Sequence, residues 1–310
     1  MSILLEITVP VFLLIGAGYL AVWSKRLTDN HISGLMKFAQ GIAIPCLLFK
    51  AMAGLDMQQN VGLFFVTAFY AGSVVNFAAG LFGTRYIFHR AWEDSVVIGF
   101  TALFGNTVLL GLAIVGRAYG GAALEGTFAL VALHAPFCYL LGITTMELLR
   151  ADSDGVVATA RTVLTSIFSN AIMLGIFAGL AFNLLGLRIP TLIDDALSMI
   201  AASALPAALF GLGGVLVRYK PEGDIRLIAF VCALSLGLHP MVTWLLGHHA
   251  FSLQIEYVRS SVITAAMAPG INAYIFSDMY KRAQRVTASS VLGATALSIL
   301  TASGWIFWVG

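Results

Sequence analysis

Charge is scarce in this chain. Of its 310 residues 10% are Asp, Glu, Lys or Arg and 59% are hydrophobic, whereas a soluble domain carries nearer a quarter charged residues. Mean hydropathy is +0.92. This excludes a soluble globular protein and leaves no stretch for a soluble domain of useful size. Neither sign of charge dominates: the net charge of +2 is scattered, which excludes a nucleic-acid partner. Cysteine is nearly absent. Cys46, Cys138 and Cys232 are odd in number, far apart and each inside an apolar run, so they read as small packing residues and not as disulfides or metal ligands. There is no GxSxG elbow, no HExxH and no P-loop, so neither an enzyme nor a nucleotide-driven pump is indicated. The pair His248-His249 lacks the further ligands a metal site needs.

What is present is a series of apolar runs, each long enough to cross a bilayer. Ten spans are predicted: Ile3–Trp23, Ile32–Ala53, Val61–Gly83, Ser95–Gly116, Thr127–Leu149, Val163–Gly186, Thr191–Val217, Ile225–Gly247, Ile255–Met279 and Val286–Val309. The fold class expected is an all-α polytopic membrane protein. The first run, MSILLEITVP onward, has no basic residues before it and carries Glu6, with Lys25 and Arg26 behind it. It is expected to be a retained span and not a cleaved signal peptide.

Lys and Arg are unevenly placed. Loops after odd-numbered spans hold Lys25, Arg26, Arg85, Arg90, Arg150, Arg161, Arg218, Lys220, Arg226, Lys281, Arg282 and Arg285. The other side has Lys50, Arg117, Arg188 and Arg259, while Lys37 sits inside span two. By the positive-inside rule the richer side is cytoplasmic, so both termini are expected on the non-cytoplasmic side of the cell (inner) membrane.

Five spans per half makes the halves, 1–149 and 163–310, inverted with respect to each other. Span two is expected to break at Ile44-Pro45 and span seven at Leu205-Pro206. Span four carries Phe104-Gly105-Asn106-Thr107 at its centre, and span nine carries Ala268-Pro269-Gly270-Ile271-Asn272. Interruptions at corresponding positions of both halves are the pattern of inverted-repeat secondary transporters. Pro269 lacks an N–H and clashes with the carbonyl four residues back. Gly270 adds backbone freedom beside it.

A helix broken at mid-membrane offers free N–H groups at one end and free carbonyls at the other. Two such helices crossing place both kinds of end together, the N-terminal ends suited to an anion and the carbonyl ends to a cation. Asn106 and Asn272 donate and accept, so they suit either capping those ends or binding substrate. A carboxylate solute fits without any fixed positive residue. With no nucleotide site, an ion gradient or the solute's own gradient drives transport. The sequence leaves the coupling ion open between H+ and Na+, and no other cofactor is expected.

The segment Phe104-Gly105-Asn106-Thr107-Val108-Leu109-Leu110-Gly111 resembles the fourth-span motif of the auxin efflux carrier family. Ala204-Leu205-Pro206 through Gly211-Leu212-Gly213-Gly214 is similar to that family's seventh span, and Gly179-Leu180-Ala181-Phe182-Asn183 to the end of its sixth. Ile44-Pro45 with Leu47-Leu48-Phe49 resembles its second span, and Pro269-Gly270-Ile271-Asn272-Ala273-Tyr274 its ninth. The resemblance implies a fold like that of the bile-acid sodium symporters. Spans 1, 2, 6 and 7 would form a scaffold, and spans 3–5 with 8–10 a transport domain. The crossing of broken spans four and nine would be the substrate site, with Gly105, Asn106, Thr107, Pro269, Gly270, Asn272 and Tyr274 around it. Small organic anions are the implied substrates, malonate-like, malate-like or auxin-like. The alternative is a sodium-coupled symporter of bulkier bile-acid-like acids; a membrane sensor, of a different class, has no signalling domain in these residues. Plant members carry a proline at the span-four crossing, where this chain has Gly105-Asn106; the departure predicts a less completely unwound fourth span.

The remaining polar residues have a bland reading beside the functional one. Asn76 in span three either lines the cavity or bonds helices together. His134 and His239, each close to a proline, are candidates for proton coupling or are buried neutral imidazoles bonded to carbonyls. Gly175 and Gly179 form a GxxxG stripe in span six, read as packing within the scaffold or as the contact of a homodimer. Trp23, Trp92, Trp305 and Trp308 read as interfacial anchors. The partners expected are therefore an organic anion, the lipid bilayer and a second copy through the scaffold.

Overall fold

The computed structural model describes residues 2–55, 62–150, 161, 164, 165, 168 and 170–310. Twelve helices build the described chain: α1 (Ser2–Trp23), α2 (Asp29–Ala53), α3 (Leu63–Tyr86), α4 (Trp92–Leu103), α5 (Thr107–Tyr119), α6 (Gly121–Leu149), α7 (Ala171–Leu184), α8 (Thr191–Leu216), α9 (Ile225–Ala250), α10 (Ile255–Ala265), α11 (Ile271–Tyr280) and α12 (Gln284–Val309). Among the described residues there is no strand, only one isolated backbone bridge between Gly105 and Pro269. Seven of these helices are long and apolar enough to cross a membrane. The ten predicted spans all appear, with spans four and nine each divided in two. The beginning of span six and the loop over 151–160 lie largely outside the described residues. Large apolar side chains stand exposed along the helices, Leu63, Phe64, Leu174, Leu192, Met199 and Leu300 among them, as the hydrocarbon of a bilayer requires.

The chain divides into two compact units. One takes the described residues of 9–60 and 164–218, which are most of α1 with α2, α7 and α8. Here glycine replaces bulk so that backbones can touch. A Cβ on Gly213 of α8 would lie 1.8 Å from the Ile15 carbonyl oxygen of α1, and one on Gly18 would lie 1.9 Å from the Phe210 oxygen. Gly175 and Gly179 seat α7 on α2 in the same way, against Pro45 and Phe49. The GxxxG stripe is therefore occupied within the chain and does not offer itself to a second copy. Beyond it the Asn183 amide donates to the carbonyls of Met52, Ala53 and Leu55 at 3.0, 3.1 and 2.7 Å, closing the C-terminal end of α2. Lys50 pairs with Asp194 at 2.5 Å and Arg218 with Asp29 at 3.1 Å, so α2 and α8 are tied at both ends.

Neither of the breaks expected in this unit forms. Pro45 widens α2 into a π turn over Ala39–Ala43, just before the ring that would crowd the Gly41 carbonyl. α8 runs through Pro206 as one α-helix. In a membrane a helix can tolerate a proline when its neighbours hold it straight.

The other unit takes residues up to Thr8, the described part of 61–163, and 219–310. Phe65, Phe69, Tyr70, Leu130 and Ala265 form one buried cluster, joining α3, α6 and α10. At one end Arg90 pairs with Asp224 at 3.1 Å and Arg282 with Glu93 at 2.9 Å. In α9, Pro240 has no N–H for the Leu236 carbonyl; the Trp305 indole of α12 donates to that oxygen instead, at 2.8 Å. Trp305, half-buried near the end of α12, thus has its indole N–H committed inside the protein. Trp23 and Trp308 are exposed at helix ends.

Candidate functional site

Both interruptions fall in the second of these units, and they are made differently. Pro269 removes the donor for the Ala265 carbonyl, and α10 stops at Ala265. Span four has no proline. Its helix ends because Phe104 (φ −82°, ψ 81°) and Asn106 (φ −77°, ψ 59°) adopt the inverse γ conformation. Gly105 N–H returns to Leu103 O at 3.0 Å and Thr107 N–H to Gly105 O at 2.9 Å. The fourth span is therefore fully interrupted, against the expectation drawn from the missing proline.

The two breaks then pair with each other. Asn106 N–H donates to Ala268 O at 2.8 Å and Gly270 N–H to Phe104 O at 2.8 Å. This short antiparallel bridge satisfies backbone groups that hydrocarbon cannot. Gly270 sits at φ −81°, ψ 167°, an extended conformation open to any residue. A Cβ on Gly105 would meet nothing nearer than the Met267 oxygen at 3.6 Å. Glycine is not a conformational necessity at either position.

Around the bridge lie the start of α5, the start of α11 and the ends of α4 and α10. The Asn106 side-chain oxygen accepts from Leu109 N–H at 3.3 Å and caps α5, which opens as a π turn over Thr107–Gly111. Asn106 is 7% exposed, and among the described residues its NH2 has no partner. Asn272, half-buried in the first turn of α11, has no side-chain hydrogen bond among them either. The Tyr274 ring lies on Tyr219, 5.1 Å between centroids. At the end of α4 the Ala102 carbonyl accepts from the Asn76 amide at 2.6 Å and from the Ser235 hydroxyl at 3.3 Å. Asn76 therefore braces the break from behind. Ser235, on a π turn of α9 (Leu234–Leu238), was not singled out from the sequence; its spacing of four from His239 was the available signal.

Of the two histidines the structure brings only His134 to the break. Its ring stands 5.0 Å from that of Phe104, centroid to centroid. His239 lies on α9, with Nε2 3.0 Å from the Ser73 hydroxyl. Residues 95–116 and 260–277 carry no Asp, Glu, Lys, Arg or His. An anion here would be met by neutral donors, the amide NH2 groups and helix N-termini among them. Among the described residues no group of three metal-ligating side chains comes together.

A family described as "Membrane transport protein" matches residues 3–306. The chain belongs to this family, that of the auxin efflux carriers. The transporter is 22% identical over 310 residues to the "Putative malonate transporter" of Rhizobium meliloti (strain 1021), covering 98% of this chain and 95% of that protein. It is 22% identical over 302 residues to the "Uncharacterized transporter YfdV" of Escherichia coli (strain K12), covering 96% and 95%. It is a membrane transporter and not an enzyme.

Proposed function

We propose that this transporter moves small carboxylates of the malonate type by secondary-active alternating access, with the carboxylate bound at the crossing of spans four and nine. The observation that carries the reading is the bridge itself. It fixes the first turns of α5 and α11 beside each other, with the unpartnered amides of Asn106 and Asn272 next to them. Helix N-termini and amide NH2 groups hold a carboxylate by hydrogen bonds and dipole without a buried lysine. The name of the Rhizobium relative agrees with this substrate class.

On this reading the unit containing spans three to five and eight to ten carries the substrate, and the unit of α1, α2, α7 and α8 is its scaffold. The halves 1–149 and 163–310 are inverted repeats, supported by interruption of the corresponding spans four and nine. The Lys and Arg bias supports both termini on the outer face of the inner membrane. A second copy would have to dock on the scaffold elsewhere than at Gly175 and Gly179.

Thermal unfolding of the purified protein against mono- and dicarboxylates tests the site. A ligand at a hundred times its dissociation constant adds about 2.7 kcal/mol to stability. Malonate or a close dicarboxylate is expected to raise the unfolding temperature of the wild type and to do so much less in Asn272→Ala and Asn106→Ala. Wild-type affinity in both variants removes the crossing as the site. Silence towards every organic anion, with a response to a neutral solute, removes the substrate class.

A further inference from the structure

A buried polar stripe runs along α3 and α9 and meets the break in span four through Asn76 and Ser235, which bond the end of α4. On α9 it consists of Ser235, His239 and Thr243, spaced four apart. On α3 it consists of Ser73, Asn76 and Thr84. Ser235 and His239 are 2% exposed and the other four are fully buried. Thr243 meets α3 at Gly72, where a Cβ would lie 2.7 Å from the threonine oxygen. His239 meets Ser73 at 3.0 Å, and Ser73 Oγ donates to the Phe69 carbonyl at 3.0 Å. Ser235 and Asn76 converge on the Ala102 carbonyl. Thr84 stands eleven residues beyond Ser73, close to three whole turns, and so on the same face. From Gly72 to Thr84 the stripe is about 18 Å long at 1.5 Å per residue, more than half of a hydrocarbon core of roughly 30 Å.

Hydrogen bonds that merely hold helices together would leave every member paired. This stripe is not fully paired. Five buried side-chain oxygens among the described residues have no hydrogen-bond partner, and three of them are Asn76 Oδ1, Thr84 Oγ1 and Thr243 Oγ1. They stand to either side of its one titratable member. An orphaned buried oxygen is costly unless a partner comes to it in some state of the molecule, and hydroxyls and an amide around an imidazole are a path for water and protons.

We propose that His239 is the proton-binding residue of this transporter, and that the polar stripe around it links it, through Ser73, Ser235 and Asn76, to the break in span four. The inference rests on the carboxylate reading only for its transport assay. With the Ser73 hydrogen committed to Phe69 O, Nε2 of His239 carries the imidazole hydrogen and Nδ1 takes up the additional proton. The groups facing His239 are uncharged: Phe69, Gly72 and Ser73 on α3, and Ser235 and Thr243 on its own helix. The ionisable neighbour is His134 on α6, across the Phe69 ring, whose centroid is 5.1 Å from His239 and 5.8 Å from His134. Two imidazolium charges so placed repel, so the pair holds one proton at a time. His134 stands against the Phe104 ring, 5.0 Å between centroids, which places the pair's proton beside the break.

Proteoliposomes loaded with malonate test the coupling. Malonate uptake driven by a pH gradient and malonate–malonate exchange without a gradient are measured side by side. His239→Gln is expected to lower the ratio of driven uptake to exchange at least tenfold, and Ser73→Ala to move the pH midpoint of uptake by about half a unit or more. An unchanged ratio in His239→Gln, or wild-type uptake indifferent to the gradient while exchange proceeds, overturns the proposal. Nitrogen-15 spectra of histidine in the purified wild type, compared with His239→Gln, read protonation without any substrate. A His239 Nδ1 signal that titrates with a midpoint above pH 5 supports the proposal even if malonate is not carried, and one that stays neutral from pH 5 to pH 8 overturns it.

Discussion

Two glycine-to-alanine substitutions should behave in opposite ways, and the reverse of what the sequence suggests. Gly105 sits in the most distinctive segment of the chain, at a break in a helix, where flexibility would be the obvious reason for glycine. Gly213 lies inside the long helix α8, in a run of small residues with no break. The structure inverts this ranking. An alanine methyl at Gly213 would lie 1.8 Å from Ile15 O, 2.7 Å from Ile15 C and 2.9 Å from Tyr19 N. All three are backbone atoms, so no rotamer change relieves the clash. α1 and α8 would have to part by roughly 1.5 Å to restore ordinary contact. Overpacking of this kind costs about 1–3 kcal/mol, with backbone contacts at the upper end. At roughly 2–4 °C per kcal/mol for a chain of this size, Gly213→Ala should unfold at least about 5 °C below the wild type. At Gly105 the methyl meets the Met267 oxygen at 3.6 Å and the Thr107 methyl at 3.8 Å, and φ is not positive. Gly105→Ala should therefore unfold within about 2 °C of the wild type, even slightly above it, because alanine has less entropy to lose. Thermal unfolding in detergent, followed by tryptophan fluorescence, decides the matter. A wild-type transition in Gly213→Ala, or an equal loss in Gly105→Ala, refutes the reasoning.

Asn183→Ala should lose about 1–2 kcal/mol in the same assay, because the carbonyls of Met52, Ala53 and Leu55 lose their donor where α2 ends. Asp194→Lys and Lys50→Asp should each destabilise and the double exchange should recover most of the loss; the effect stays within about 1 kcal/mol, since the pair is 24% and 41% exposed. Asp224, in the loop before α9, is pushed up by slight desolvation, but hydrogen bonds from Arg90 and from the Leu227 and Arg226 N–H groups outweigh this and hold its carboxyl below the usual range. Its contribution is therefore present above the ordinary aspartate pKa and is lost as pH falls through the lowered one. Hydrogen exchange in the first turn of α9 should accelerate below about pH 4, and Asp224→Asn should show the faster exchange at neutral pH.

The membrane class and the ten spans were legible because hydrophobic run length is a local property, and a bilayer imposes it on each helix separately. The break at Pro269 was legible for a similar reason: a missing N–H acts within four residues of itself. The same rule failed at Pro206 and half-failed at Pro45, where the helix widened without breaking. Whether a proline interrupts a buried helix depends on what its neighbours supply, and Trp305 at the Leu236 carbonyl shows how distant in sequence that supply can be. Asn106 and Asn272 were legible as polar groups at the interruptions, and the structure leaves an NH2 group free on each. Ser235 was not, because a serine in an apolar run looks like any other until α9 brings it to Ala102.

By itself, then, the sequence determined the class, the number of spans, the family and the place of the two interruptions, all of which follow from residue type and spacing along one dimension. The tertiary structure alone decided that the two interruptions hydrogen-bond to each other, that span four breaks through two inverse γ turns and not through a proline, and that the GxxxG stripe is spent on α2. It also decided that glycine matters most at Gly18 and Gly213. Each of these depends on which backbone atom lies opposite, and segments more than a hundred residues apart meet only once the chain has folded.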